Sequence, residues 1–334
     1  MRRRSLLLAT VSAALGSLTG CHSGIPSAST TGASTSPAVP ATSAPPPPKI
    51  VDGPLPAITA GTRFGEKPAL AKSPGRPSKD LAVRTLIVGS GPTAAANDYV
   101  QADFLGQVWD TGKVFDDTYD GKKPTFIHLA DNGSLPGWRY ALTGKKVGSR
   151  IECSVPPTWG LGTHGNTRLG IKGSDTLVFV MDLHAAFNAK SSAHGEEVAQ
   201  NDVSLPKAGT NTDGKPPAID IPRTTAPDKL VANYVLKGNG PAIKADSTVL
   251  LQYKGVLWEN GKEFDSTYSR NTLTALSPQQ VVPGWTRGLT GKNVGSRVLL
   301  VIPPNLGYGT NPPPGGPIKK NSTLVFTVDI LAAI

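Results

Sequence analysis

Fifteen residues near the middle of this chain return near its end. Pro136-Gly137-Trp138-Arg139-Tyr140-Ala141-Leu142-Thr143-Gly144-Lys145-Lys146-Val147-Gly148-Ser149-Arg150 reappears from Pro283 to Arg297, identical at 11 of 15 positions. Upstream, Gly112 to Tyr119 recurs as Gly261 to Tyr268; downstream, Asp175 to Phe179 recurs as Ser322 to Phe326. The blocks keep their order at a spacing of 147 to 149 residues. Solenoid repeats run at about 20–50 residues, whereas this period is the length of a whole domain. The 334 residues therefore hold two copies of one globular unit, and the positions where the copies differ carry information about function.

The ends and connections read differently. Arg2-Arg3-Arg4, an apolar stretch from Ser5 to Leu18 and Leu18-Thr19-Gly20-Cys21 have the form of an export signal. Small residues before a cysteine resemble the bacterial lipobox, in which Cys21 becomes the lipid-modified N-terminus. The general secretory and twin-arginine routes both stay open. The expectation is a signal peptide over 1–20 and a disordered Pro/Ser/Thr-rich tether over 21–75, which holds Pro45 to Pro48 in one run. The first globular domain then occupies 76–187, a polar linker 188–225 and the second domain 226–334. With Cys21 acylated, Cys153 has no partner for a disulfide. It sits in the apolar run Ile151 to Val155 and is expected to be a buried packing residue.

The formal charge of +10 is uneven: seven basic against two acidic residues over 1–75, and 11 against six over 228–334. No dense Lys/Arg stripe with interleaved aromatics occurs, which argues against nucleic acid as a partner. On an exported chain such charge faces anionic lipid or cell-wall polymer. The five histidines (His22, His128, His164, His184, His194) lack metal-ligand spacing. Nucleophile elbows and phosphate loops are missing too.

Within the second copy, Val249 to Leu257 is strand-like and Glu259-Asn260-Gly261-Lys262 is an Asn-Gly hairpin turn. Pro278 to Thr290 has helical spacing, with Pro283 in the first turn. Ser296 to Ile302 and Ser322 to Leu331 close the unit as strands, around a Gly/Pro loop from Asn305 to Lys320. One short helix among many strands predicts an α+β domain.

These blocks resemble the FKBP-type peptidyl-prolyl cis-trans isomerases. The resemblance rests on Gly261-Lys262-x-Phe264-Asp265-Ser266, Val281-Val282-Pro283-Gly284-Trp285, Pro303-Pro304-x-x-Gly307-Tyr308-Gly309 and Leu324-Val325-Phe326-x-Val328-x-Ile330-Leu331. It covers 228–334 closely and 80–187 more loosely. It implies two tandem FKBP-like domains, each a curved antiparallel β-sheet wrapped around one short α-helix, with an apolar pocket for a prolyl ring.

The resemblance assigns roles in the second copy. Trp285 would be the pocket floor, with Tyr253, Phe264 and Phe326 as aromatic walls. Val281 and Val282 would line the lip, the Val282 N–H facing a substrate carbonyl. Tyr308 would offer its hydroxyl, Asp265 a buried carboxylate supported by Arg270, and Ile318 would close the far rim. An aromatic usual near Thr274 is absent, and the loop from Thr310 to Pro317 is rewritten with four prolines. The first copy keeps Phe115, Asp116, Leu135, Trp138 and Phe179. It has Phe104 for Tyr253, Gly121 for Arg270, Ser134 for Val281 and Leu161 for Tyr308.

The implied activity is isomerisation of X–Pro bonds in exported polypeptides, mainly by the C-terminal domain, without cofactor, metal or covalent intermediate. The chain is expected to be monomeric and lipid-anchored to the outer face of the cell membrane, with room for a macrolide inhibitor in the pocket. A proline-turn-binding chaperone or docking module is the rival from another class, and a surface scaffold a third.

Overall fold

The computed structural model describes residues 46–121, 123–130 and 133–334. The expected signal over 1–20, the acylation site Cys21 and the tether as far as residue 45 lie outside the described residues.

The first repeat opens with β1 (Ile50–Val51) and a small hairpin of β2 (Ile58–Ala60) and β3 (Ala69–Leu70). Then come β4 (Leu81–Ile87), β5 (Tyr99–Val108), β6 (Val114–Asp117), β7 (Thr125–His128), helix α1 (Pro136–Leu142), β8 (Arg150–Val155) and β9 (Leu177–Phe187). The second repeat follows the same plan. Its leading segment holds β10 (Glu196–Glu197) and a hairpin of β11 (Lys207–Ala208) and β12 (Ile219–Asp220). After it run β13 (Val231–Lys237), β14 (Val249–Leu257), β15 (Glu263–Ser266), β16 (Thr274–Leu276), α2 (Pro283–Leu289), β17 (Arg297–Ile302) and β18 (Leu324–Ala333).

The two sheets share one topology. Strand order is β1-β4-β8-β9-β5-β6 in the first and β10-β13-β17-β18-β14-β15 in the second, with β7 and β16 also pairing on β5 and β14. The Asn-Gly turn forms as expected: Gly261 takes φ +66°, its N–H donates to Leu257 O and the Leu257 N–H donates to Lys262 O. Strand periodicity turns Val298, Leu300 and Ile302 toward α2, and Ile151, Cys153 and Val155 toward α1. Cys153 is fully buried, and burial pushes its thiol up, so it packs as an inert hydrophobe.

The helix is shorter than the spacing over Pro278 to Thr290 predicted. A 3-10 turn spans Pro278–Gln280, Val281 and Val282 are extended, and α2 begins at Pro283. The ring of Pro283 disfavours helical backbone at the residue before it, while its own fixed φ suits the first helical position. Gly284 lets the helix lie on the sheet, since a Cβ there would come 2.4 Å from Ile302 Cγ2.

The connections correct the expectation most. Residues 50–75 and 188–225 are not free tethers; each crosses the outer face of the sheet that follows it. Arg150 on β8 and Asp182 on β9 are direct cross-strand partners, both 0% exposed, joined at 2.7 and 2.6 Å. The Arg150 guanidinium also donates to Gly61 O and Glu66 O of the first strap. Arg297 and Asp329 repeat the pair at 2.6 and 2.8 Å, and Arg297 donates to Gly209 O and Asn211 O of the second strap. Trp109 Nε1 donates to Gly75 O and Trp258 Nε1 to Thr224 O, at the same separation along the chain. Proline and glycine make each strap a poor independent folder, but its carbonyls meet buried donors once the sheet exists. The two repeats also touch: Leu250, Leu273, Leu331 and Ala332 pack with Tyr99, Phe126 and Phe187.

Replacing Arg297 by Met leaves Asp329 buried without its cation and two strap carbonyls without donors. The expected loss is about 3–5 kcal/mol of stability, read by denaturant unfolding, together with new protease cleavage within 190–226.

Candidate functional site

In the second repeat four aromatic rings from four elements converge. The Trp285 ring, carried by α2, meets Tyr253 of β14 at 5.2 Å and Phe326 of β18 at 5.2 Å, both edge to face. Phe264 of β15 meets Phe326 at 5.3 Å and 86°. Edge-to-face contacts set electron-poor ring edges against electron-rich faces, so the box holds a defined shape. Gly255 makes room for it: a Cβ there would stand 2.7 Å from Phe326 and 2.8 Å from Phe264. Sequence reading passed over this glycine, although its counterpart Gly106 marks the same approach of Phe115 and Phe179 in the first repeat.

A polar group sits on the rim. The Tyr253 hydroxyl donates to Asp265 Oδ2 at 2.6 Å, and Arg270 donates to Asp265 Oδ1 and, at 3.1 Å, to the Tyr253 oxygen. Burial first, and then the bond to Asp265, push the Tyr253 hydroxyl up to about 12, so it stays a proton donor. Asp265 was expected to be buried; its side chain is 38% exposed, because it lies at the mouth with Arg270 rather than within the aromatic box. Tyr308 is 39% exposed in the loop after the Pro304–Leu306 turn. Its hydroxyl is raised by burial and then by the charge of Asp265, which places the two within electrostatic reach. Val281, Val282 and Ile318 are partly buried against the same core. The Val282 N–H, left over by the extended backbone before Pro283, has no hydrogen-bond partner among the described residues.

The first repeat builds the same box without the rim. Trp138 meets Phe104 at 5.1 Å and Phe179 at 5.0 Å, and Phe115 meets Phe179 at 5.8 Å. Phe104 has no hydroxyl to offer and Gly121 no cation, and Asp116 Oδ2 is buried with no partner among the described residues. Burial raises the Asp116 carboxyl above the ordinary range; a hydrogen bond from the Asp117 backbone opposes the shift and the Asp117 charge adds to it. The loop also closes further. Ile171, at the place of Ile318, is 3% exposed and joins the core, with Leu161 and Leu169 packed against it. Leu135 is buried at the position of Val282, and Ser134 donates to His128 O. The Trp138 indole N–H is buried without a partner.

Two other features carry less chemistry. A cavity of about 340 Å³ lies under the second strap, lined by Gln200, Leu205, Asn233 and Tyr234 among others. The Gln200 amide there is occupied with the Ala208 N–H and C=O. His184 Nε2 lies 2.7 Å from Asp103 Oδ2, and Thr118 donates to Oδ1. Burial would raise Asp103, but these bonds hold it below the usual carboxylate range. The Thr118 hydroxyl also accepts the Phe104 N–H, so it is engaged as both donor and acceptor.

Restoring the missing hydroxyl tests the rim. Phe104→Tyr should give Asp116 a donor and stabilise the first repeat by about 1 kcal/mol, seen as a raised unfolding midpoint. No gain would mean that the hydroxyl does not reach the orphaned oxygen.

The family described as "FKBP-type peptidyl-prolyl cis-trans isomerase" matches residues 91–184 and 240–331, more than half of the chain and one match per repeat. Similar curated proteins include an FK506-binding protein of Streptomyces anulatus, 37% identical over 118 residues, which are 35% of this chain and 95% of that protein. The FKBP-type peptidyl-prolyl cis-trans isomerase FkpA of Escherichia coli K12 is 45% identical over 107 residues, 32% of this chain and 38% of that protein. The protein of the same name from Buchnera aphidicola subsp. Baizongia pistaciae is 29% identical over 220 residues, 66% of this chain and 76% of that protein. With both repeats matched, this chain belongs to the FKBP-type peptidyl-prolyl cis-trans isomerase family.

Proposed function

We propose that this chain accelerates cis-trans isomerisation of X–Pro bonds in exported polypeptides, and that the second repeat carries most of the activity. The observation behind the reading is the difference between the two rims. Tyr253, Asp265 and Arg270 are mutually bonded beside the second aromatic box, whereas Asp116 is left with an orphaned oxygen beside the first.

The chemistry needs little machinery. Rotation about an X–Pro bond meets a barrier of about 18–20 kcal/mol because the C–N bond has double-bond character. Lowering it by about 5–7 kcal/mol gives an acceleration on the order of 10⁴- to 10⁵-fold. Trp285, Tyr253, Phe264 and Phe326 would enclose the prolyl ring, with Val281 and Ile318 at its edges. A dry apolar box disfavours the planar, charge-separated amide relative to the twisted one. The unpaired Val282 N–H would hold a substrate carbonyl in a turn. Asp265 and Tyr308 would face the twisting imide, with Arg270 and the Tyr253 hydroxyl fixing the carboxylate. In this reading the sheet curls over the helix to shape the box, and a macrolide could compete for it. The first repeat, closed by Ile171, would serve as a weaker site or as a docking module for proline turns.

Asp265→Ala or Tyr308→Leu in the full chain should lower kcat/KM for a proline peptide by about 10- to 100-fold, the value of a charge-assisted hydrogen bond. Asp116→Ala should change it little. Peptide binding without any acceleration in the parent chain would favour the docking module instead.

The lipid anchor is part of the same proposal. No described helix is long and apolar enough to cross a membrane, and an acyl chain on Cys21 would tie the protein to the outer face. Cys21→Ala should then release it from the membrane fraction or block its maturation. Unchanged retention would count against the anchor.

A further inference from the structure

The two straps lie on different surfaces. In the second repeat most of the sheet face away from α2 is apolar: Val235, Val256, Leu299, Val301 and Val325 form one cluster with Trp258 and Ala208, and its buried polar atoms without a partner among the described residues are Gln252 Oε1 and Thr327 Oγ1. Ile219, Ile221 and Ala226 of the second strap pack against it. In the first repeat Val178 and Trp109 keep the apolar character of Val325 and Trp258, but three matching positions are polar. Glu152 stands where Leu299 does, Ser154 where Val301 does and Gln107 where Val256 does.

All three are buried, at 1%, 0% and 3% exposure, and Glu152 Oε1, Ser154 Oγ and Gln107 Nε2 have no hydrogen-bond partner among the described residues. Ser73 Oγ of the first strap is a fourth such orphan. Besides the buried Leu55 and the edge-on contact of Phe64 with His184, the strap is held by directed bonds. Arg150 bonds Gly61 O and Glu66 O, Trp109 bonds Gly75 O, Arg84 bonds Asp52 O and the Gly65 N–H bonds Asp182. Its β1 residues Ile50 and Val51 pair with Leu81 and Ala82 of β4. Polar atoms that lose water on closure and gain no partner favour the open state, where water returns to them.

We propose that residues 50–75 form a pH-gated clasp, which loosens from the first repeat when Glu152 ionises, while the strap of the second repeat stays closed. Glu152 lies mid-strand on β8. Arg84 on β4 is directly across from it on one side and Val180 of β9 on the other. In the adjoining row Arg150 is neutralised by Asp182. The strap brings Asp52 beside Arg84, Arg63 beside Glu66, and Lys67, which is bound to Asp117 and Asp120. Burial raises the Glu152 carboxyl to about 7, with Arg84 opposing the shift.

The sign follows from the two states. With the clasp open, Glu152 is hydrated and titrates in the ordinary carboxylate range; with it closed, Glu152 keeps its proton up to about pH 7. Closure is therefore firmest in acid and weakens as pH rises through that value. Release would uncover the outer edge of β4, whose neighbour on that side is β1.

Hydrogen exchange of the full chain at about pH 5.5 and about pH 8, corrected for intrinsic rates, tests the clasp. The open population of 50–75 should rise by about 30-fold across that range if opening fully rehydrates Glu152, and that of 190–226 should not. Glu152→Gln should flatten the rise. Glu152→Leu, which copies the second repeat, should flatten it and add protection. The proposal falls if the first strap shows no rise, or if Glu152→Gln keeps the rise intact. Should either variant misfold, the comparison of the two straps in the parent chain decides by itself.

Discussion

Each sheet carries on its outer face a guanidinium that bulk solvent does not reach. Arg150 and Arg297 sit mid-sheet at 0% exposure, each forked onto the carboxylate directly across from it. A buried charge is tolerable only when its partner and its remaining donors are all satisfied. The carboxylate takes two N–H groups, and carbonyls of a crossing strap take others. The strap is thus as much a requirement of the arginine as the arginine is of the strap. Because the outer face is covered in this way, β8 and β17 are buried along their whole length.

On this shared frame the two aromatic boxes are nearly the same object. Rings packed around a glycine-sized gap are held by shape, and Phe104 fills the place of Tyr253 at nearly the same distance from the tryptophan, though tilted at 56° rather than edge to face at 88°. The polar rim behaves differently, since each of its members depends on the others. Without the Tyr253 hydroxyl and Arg270, a carboxylate in the same place keeps its desolvation and is left with a backbone bond from Asp117 and one oxygen unpartnered among the described residues. That is the state of Asp116. Packing can survive the loss of a site; a hydrogen-bond network cannot lose members so quietly.

The outer faces diverge in the opposite sense. The second repeat has an additional apolar layer between strap and sheet, while the first has directed bonds around a polar patch. The apolar strap layer thus lies on the repeat whose rim groups are mutually bonded. The second strap is also the connection between the repeats, and Gln252 of β14 donates to Ala189 O where that connection leaves the first repeat. Together with the shared cluster around Leu250 and Phe187, this ties the two units more closely than a polar linker would.

Local chemistry was enough to read much of this from the chain. The period of 147 to 149 residues required two copies of one unit, and Asn260-Gly261 required a hairpin turn because glycine accepts the positive φ found there. Trp285, Phe264, Phe326, Asp265 and Arg270 were legible as a group only through the resemblance of their motifs to the family. Gly255 was not, because its role is an empty volume filled by two rings from other strands. The straps were illegible for a related reason. A Pro/Gly/Ser-rich segment has no periodicity that announces burial, and its order comes from donors on Arg150, Arg297, Trp109 and Trp258, which only the folded sheet places against it. The half-exposure of Asp265 and the orphaned oxygens of Asp116 and Glu152 likewise depend on which groups stand across the sheet. Sequence alone determined the repeat, the turns and the residue types of the site. Tertiary structure decided which polar groups found partners, because that depends on long-range neighbours rather than on local pattern.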